Sequence, residues 1–137
     1  MIVFRKGGLA LSESLRSEVD SLIRAQYASA PEYLWAKYPT YAVYRHTVGR
    51  KWFAVIMDVP CEKLGLDREG SAEILNVKVS PLMAGSLERE CGILPAYHMK
   101  KGSWVSVLLD GSVSMEQILA LIGISFELTA EKPKKRR

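Results

Sequence analysis

A chain of 137 residues, 48% hydrophobic and 25% charged, falls with folded globular proteins and is long enough to bury one core without disulfides or metal. It has no apolar run near the ~20 residues of a membrane-spanning helix, which excludes a membrane partner of that kind. Its formal charge of +4 sits in the tail: Lys132, Lys134, Lys135, Arg136 and Arg137 hold five of the nineteen basic residues, and the fourteen before them face fifteen acids. A case for polyanion binding by the folded part therefore rests on a local patch.

In chain order, Met1 to Phe4 could pair as an edge strand or fray, with Gly7-Gly8 as a joint. This apolar start meets Arg5-Lys6 too soon for a signal peptide, so a cytoplasmic location is expected. Residues 1–10 read as an N-terminal extension of a single domain that ends at residue 131. Residues 132–137 read as a disordered tail, because crowded like charges repel.

Ser12 is a plausible N-cap, and Leu15, Val19, Leu22, Ile23 and Tyr27 make one helical stripe, which predicts a first helix from about Leu11 to Ala28. Ala30-Pro31 should end it. Glu32 to Lys37 is expected to add a helical turn. A hairpin follows, with arms Tyr41–His46 and Lys51–Val59 around a turn at Thr47-Val48-Gly49-Arg50. Cys61 to Ser71 reads as a loop and Glu73 to Val79 as a strand. Leu75, Val77 and Val79 share one of its faces, and Ile74, Asn76 and Lys78 share the other. That second face is half polar, and it is expected to meet water or a partner.

Ser80-Pro81 starts a second helix, with Leu82, Met83 and Leu87 expected to bury and Gly92 to stop it. A loop from Ile93 to Gly102, with room for a short strand near Ile93, leads to a strand at Ser103–Leu109 and a turn at Asp110-Gly111. Ser114 to Gln117 is a capping box, stapled by Val113 and Ile118, for a last helix reaching about Thr129. Leu119, Ile122 and Phe126 are expected to bury from it. The order α-β-β-β-α-β-α, without βαβ alternation, predicts an α+β fold: two layers, a mainly antiparallel sheet, helices on one face.

Pro95-Ala-Tyr97-His98-Met99-Lys100, Trp104-Val-Ser-Val and Leu109-Asp110-Gly111-Ser112-Val113 resemble the signature of the MmcQ/YjbR family. The likeness extends to Pro31 through His46, Lys51-Trp-Phe-Ala, Ile74-Leu-Asn76-Val-Lys78 and Ser125-Phe126-Glu-Leu128, in the same order. The resemblance implies a two-layer fold similar to secretion chaperones, and DNA binding through a proposed double wing.

Two turns are the natural wings: the hairpin tip with Arg50 and Lys51, which Arg45 adjoins, and the loop carrying His98, Lys100 and Lys101. Short basic loops can rest on phosphates, where position is fixed more readily than sequence is read. Lys78, with Asn76 beside it and Trp104 and Ser106 on the neighbouring strand, would add cations and a stacking ring on an open sheet face. The expected partner is DNA, bound weakly or without sequence preference. The alternative is a protein or peptide module, or a homodimer, built on Trp52 and Trp104.

Cys61 and Cys91 form no Cys-x-x-Cys pair, so no metal or other cofactor is expected. An enzymatic role for His98 would need Asp110 or Cys91 within hydrogen-bond reach, which their spacing does not require. The expectation is a protein that is not an enzyme.

Overall fold

Three helices with apolar stripes and five short β-branched or aromatic runs can bury their apolar sides only against one another, and they do so in two layers. The computed structural model describes residues 14–131, so the Ser12 cap, the extension before it and the basic tail lie outside the described residues. The elements are α1 (Arg16–Tyr27), β1 (Ala42–Arg45), β2 (Trp52–Pro60), a 3-10 turn (Cys61–Leu64), β3 (Ser71–Lys78), α2 (Pro81–Leu87), β4 (Ile93–Pro95), β5 (Trp104–Leu108) and α3 (Met115–Thr129). All five strands join one antiparallel sheet in the order β1-β2-β3-β5-β4. The expected α+β architecture is present, and the short strand near Ile93 forms one edge.

The helices share one face of that sheet. Val19 and Ile23 of α1, Ala84 and Leu87 of α2, and Ile118 and Ile122 of α3 pack on Ile56, Leu75, Val77, Val105 and Val107. Local chemistry starts two of these helices where the sequence places them. Ser80 caps α2 by accepting from the Met83 N–H, and Ser114 caps α3 by accepting from the Gln117 N–H at 3.1 Å. Only half of the capping box forms, because the Gln117 side chain turns to Glu90 at 2.8 Å instead of returning to its own cap.

Four local expectations need correction. The first described helix starts at Arg16 with Leu15 at its cap, and it ends at Tyr27, where Ala28 turns left-handed. Glu32 to Lys37 is not helical: Glu32 makes an isolated bridge to Val43, and a turn follows at Ala36-Lys37. Packing of the Trp35 ring against Tyr41 and Trp52 outweighs local helix preference there. Leu82 is 94% exposed, since α2 is only seven residues long and turns Ala84 and Leu87 inward, about 140–160° around the helix from Leu82. The helix also ends at Leu87, before Gly92.

The larger correction concerns the second face of the sheet. It is not open to water. Val43, Val55, Met57, Val59, Ile74 and Leu108 form a second buried cluster, covered by Trp35, Leu64, Leu66 and Tyr97 from three irregular segments. Asn76 and Ser106, expected to look outward, are both 0% exposed. A closed set of hydrogen bonds makes this burial affordable: Asn76 Nδ2 donates to the Tyr97 carbonyl at 3.0 Å, Ser106 Oγ donates to Asn76 Oδ1, and the Tyr97 N–H donates to Ser106 Oγ at 2.9 Å. The polar pair fastens the 96–102 loop onto the sheet.

Candidate nucleic-acid interface

Antiparallel pairing decides which charged residues meet. β2 begins where β3 ends, and β3 ends where β5 begins, so Lys51-Trp52, Lys78 and Trp104 fall at one end of the sheet on consecutive strands. Lys78 and Trp104 are direct partners, and Lys101 bridges to Trp104. The acids Asp58, Glu62, Asp67, Glu69 and Asp110 lie toward the opposite end, with Lys63 and Arg68 among them. Acids also occur at the lysine end, where Glu131 lines the same hollow as Lys51 and Glu32 pairs with Arg45 and Arg50.

Two backbone devices shape the lysine end. Tyr44 pairs with Ala54 but Arg45 pairs with Trp52, so Phe53 is an extra residue in β2. Such a bulge re-aims its neighbours. Phe53 and Ala54 both join the helical core, while Trp52 joins the cluster on the second face. The second device is Ser125 on α3, which donates to the Phe53 carbonyl at 2.6 Å and accepts from the Lys78 N–H at 2.8 Å. It clamps the bulge and the last residue of β3 to the same helix.

Arg50 and His98 are two of the three non-glycine residues with positive φ among the described residues, at 62° and 60°. Each sits on one of the two turns singled out from the sequence. A left-handed conformation at such residues costs about 1–2 kcal/mol and is uncommon outside turns and functional sites.

The cations on these turns are not equivalent. Arg45 and Arg50 both pair with Glu32, at 3.1 and 2.8 Å, so one carboxylate holds two guanidinium groups. Lys101 is exposed but directs its ammonium to the Ala96 carbonyl at 2.8 Å. Lys51, Lys78 and Lys100 have no carboxylate within ion-pair distance among the described residues. Lys51 and Lys100 are exposed and Lys78 is half-buried. Glu131, from which the basic tail continues, lies close to Gly49 at the hairpin tip.

Between two of the three segments that cover the second face, 31–41 and 96–102, is a cavity of about 290 Å³. Trp52 and Met57 form its floor, Trp35, Tyr38 and Tyr41 one wall, and His98 and Met99 the other. Trp35 stands edge-on to Trp52 at 5.8 Å and 87°, and Tyr38 stacks on Tyr41 at 4.7 Å and 13°. Burial raises the Tyr41 phenol above its ordinary pKa, with Tyr97 nearby adding to the shift, so that ring stays neutral. Alternation alone does not point to this cleft. The signal is the density of aromatics at Trp35, Tyr38 and Tyr41, too many for an ordinary solvated loop.

The residues of the enzymatic alternative are kept apart. Asp110 follows the far end of β5 from His98, and the exposed Cys91 precedes the strand paired there. Burial alone would raise the Asp110 carboxyl. The Ser112 hydroxyl and N–H and the Arg68 guanidinium outweigh it and hold the carboxyl below its ordinary pKa. His46 lies on the helical side, bonded to Thr129 Oγ1 at 2.9 Å, and burial lowers its pKa.

The family model described as YjbR matches residues 24–128. An uncharacterised protein of Bacillus subtilis (strain 168), YyaQ, is 42% identical over 114 residues, which are 83% of this chain and 97% of the relative. A crystal structure of a Pseudomonas syringae protein superposes with a TM-score of 0.82 at 40% identity, covering 84% of this chain and 98% of that one. A Deinococcus radiodurans protein at 22% identity shares the fold, with a TM-score of 0.64 over 86% of this chain and 81% of its own.

Proposed function

The chain belongs to the YjbR family, and from that footing we propose that it binds DNA, without reading base sequence, at the lysine end of its sheet. The observation that carries the proposal is the strand register, which gathers Lys51, Lys78 and the Lys100-Lys101 turn at one end although 50 positions separate the first from the last. Trp104, half-exposed beside Lys78, supplies a ring for stacking at the same end.

Residue type supports the lack of sequence preference. Arginine forks read guanine edges in the major groove, whereas a lysine ammonium acts as a point charge on phosphate. The two arginines nearest the site are committed to Glu32. The cations that remain can position a phosphate backbone and carry little information about bases.

The test is a salt titration of a chain ending at Ala130, which removes the basic tail. Retained binding to a short DNA, with log affinity falling against log salt at a slope of about −3 for three neutralised phosphates, is the expected result. Loss of all binding on removing the tail would assign the affinity to the tail and overturn the proposal.

A further inference from the structure

We infer that the aromatic cleft between β2 and the 96–102 loop receives one unpaired nucleobase, so that the protein holds single-stranded DNA more tightly than duplex. The inference rests on the DNA-binding proposal above and deepens it.

Shape comes first. Pockets for drug-sized molecules run from about 300 to 1,000 Å³, and this cavity, at about 290 Å³, suits a single planar ring system. Its rings are arranged to accept one. Trp35 stands perpendicular to Trp52, and the Tyr38–Tyr41 stack ends in a ring that is 49% exposed at the lip. Base–aromatic stacking tolerates any base, in keeping with binding that does not read sequence.

Position and charge then select among flat ligands. The floor residue Trp52 follows Lys51 directly, and the wall residue Met99 precedes Lys100 directly. The exposed Lys100 therefore carries an ammonium group beside that wall, where a phosphate flanking an inserted base would run, while Lys51 lies on the α3 side of the sheet with Leu128 and Glu131. No carboxylate among the described residues lines the cleft, which disfavours the cationic ligands that aromatic cages otherwise hold. The His98 ring, packed against Tyr97 at 4.1 Å, supplies a polar edge in an otherwise apolar wall. A paired base reaches such a cleft only after unstacking and unpairing, so an unpaired strand is favoured.

The experiment compares three probes on the full chain at one salt concentration: an oligothymidine strand, an abasic strand of equal length, and a duplex. The tail meets the phosphates of both single strands alike, so their ratio isolates the base. The thymidine strand is expected to bind about tenfold tighter than the abasic one and to quench tryptophan emission. Tyr38→Ala, at a half-exposed ring whose loss leaves the core intact, should remove most of that ratio; Trp35→Ala should do the same if its circular dichroism is unchanged. Lys78→Gln should weaken both strands equally. Equal binding of thymidine and abasic strands would leave phosphate binding standing and overturn the cleft. Failure to bind any of the three probes would overturn the DNA-binding proposal and the inference with it.

Discussion

Changing Lys51, Lys78 and Lys100 together to glutamine, in a chain ending at Ala130, is expected to weaken DNA binding about a hundredfold near 0.1 M salt and to flatten the salt dependence by about three units of slope. Each lysine on a phosphate releases close to one counterion, so both effects scale with the number of phosphates the protein no longer neutralises. The three side chains are exposed or half-buried and have no carboxylate partner among the described residues, so the fold does not depend on their charge. Arg50→Gln is the internal comparison. Its guanidinium already pairs with Glu32 at 2.8 Å, and its loss should change the slope by well under one unit. Equal losses from Arg50→Gln and from the triple change would mean that ion pairing within the protein does not decide which cations bind.

Asn76→Leu should cost about 2–4 kcal/mol, because it strands two buried partners. The Tyr97 carbonyl loses its donor and the Ser106 hydroxyl loses its acceptor, at a site with 0% exposure of Asn76 and Ser106. In a domain of this size that lowers the melting temperature by roughly 10 °C. DNA binding should fall as well, since the same bonds hold the loop that carries Lys100. Adding Ser106→Ala should deepen the loss, because the Tyr97 N–H that donates to Ser106 Oγ at 2.9 Å is then stranded as well. A melting temperature within a degree or two of the parent for Asn76→Leu would contradict this account of how the second face is closed.

Much of the fold is legible in the sequence because it is written locally. The Ser80 and Ser114 caps, the Gly49 turn and the alternation of Leu75 and Val77 each depend on a few adjacent residues. The cover over the second face is not, because alternation tells which side chains share a face and nothing of what lies over them. Asn76 is polar, which by itself points it to water, yet its partners are Tyr97, in a loop 21 residues on, and Ser106, on β5. The bulge at Phe53 is hidden in the unbroken apolar run from Trp52 to Met57, where a two-residue period cannot be seen. Glu32 tempers Arg45 and Arg50 from outside the hairpin, so in sequence those two cations look as free as Lys51. Of the candidate site, Lys51, Lys78, Lys100, Lys101 and Trp104 can be named from sequence and fall together. The aromatic cleft beside them is signalled in sequence only by the density of aromatics at Trp35, Tyr38 and Tyr41, and its other wall comes from packing.

The most direct measurement is the set of backbone amide shifts that move when a chain ending at Ala130 is titrated with a short DNA strand. Changes centred on residues 47–52, on Lys78 and on residues 97–104, absent after the triple lysine change, are the predicted result. Changes centred instead on residues 58–71 and Asp110, at the acidic end of the strands, would contradict it.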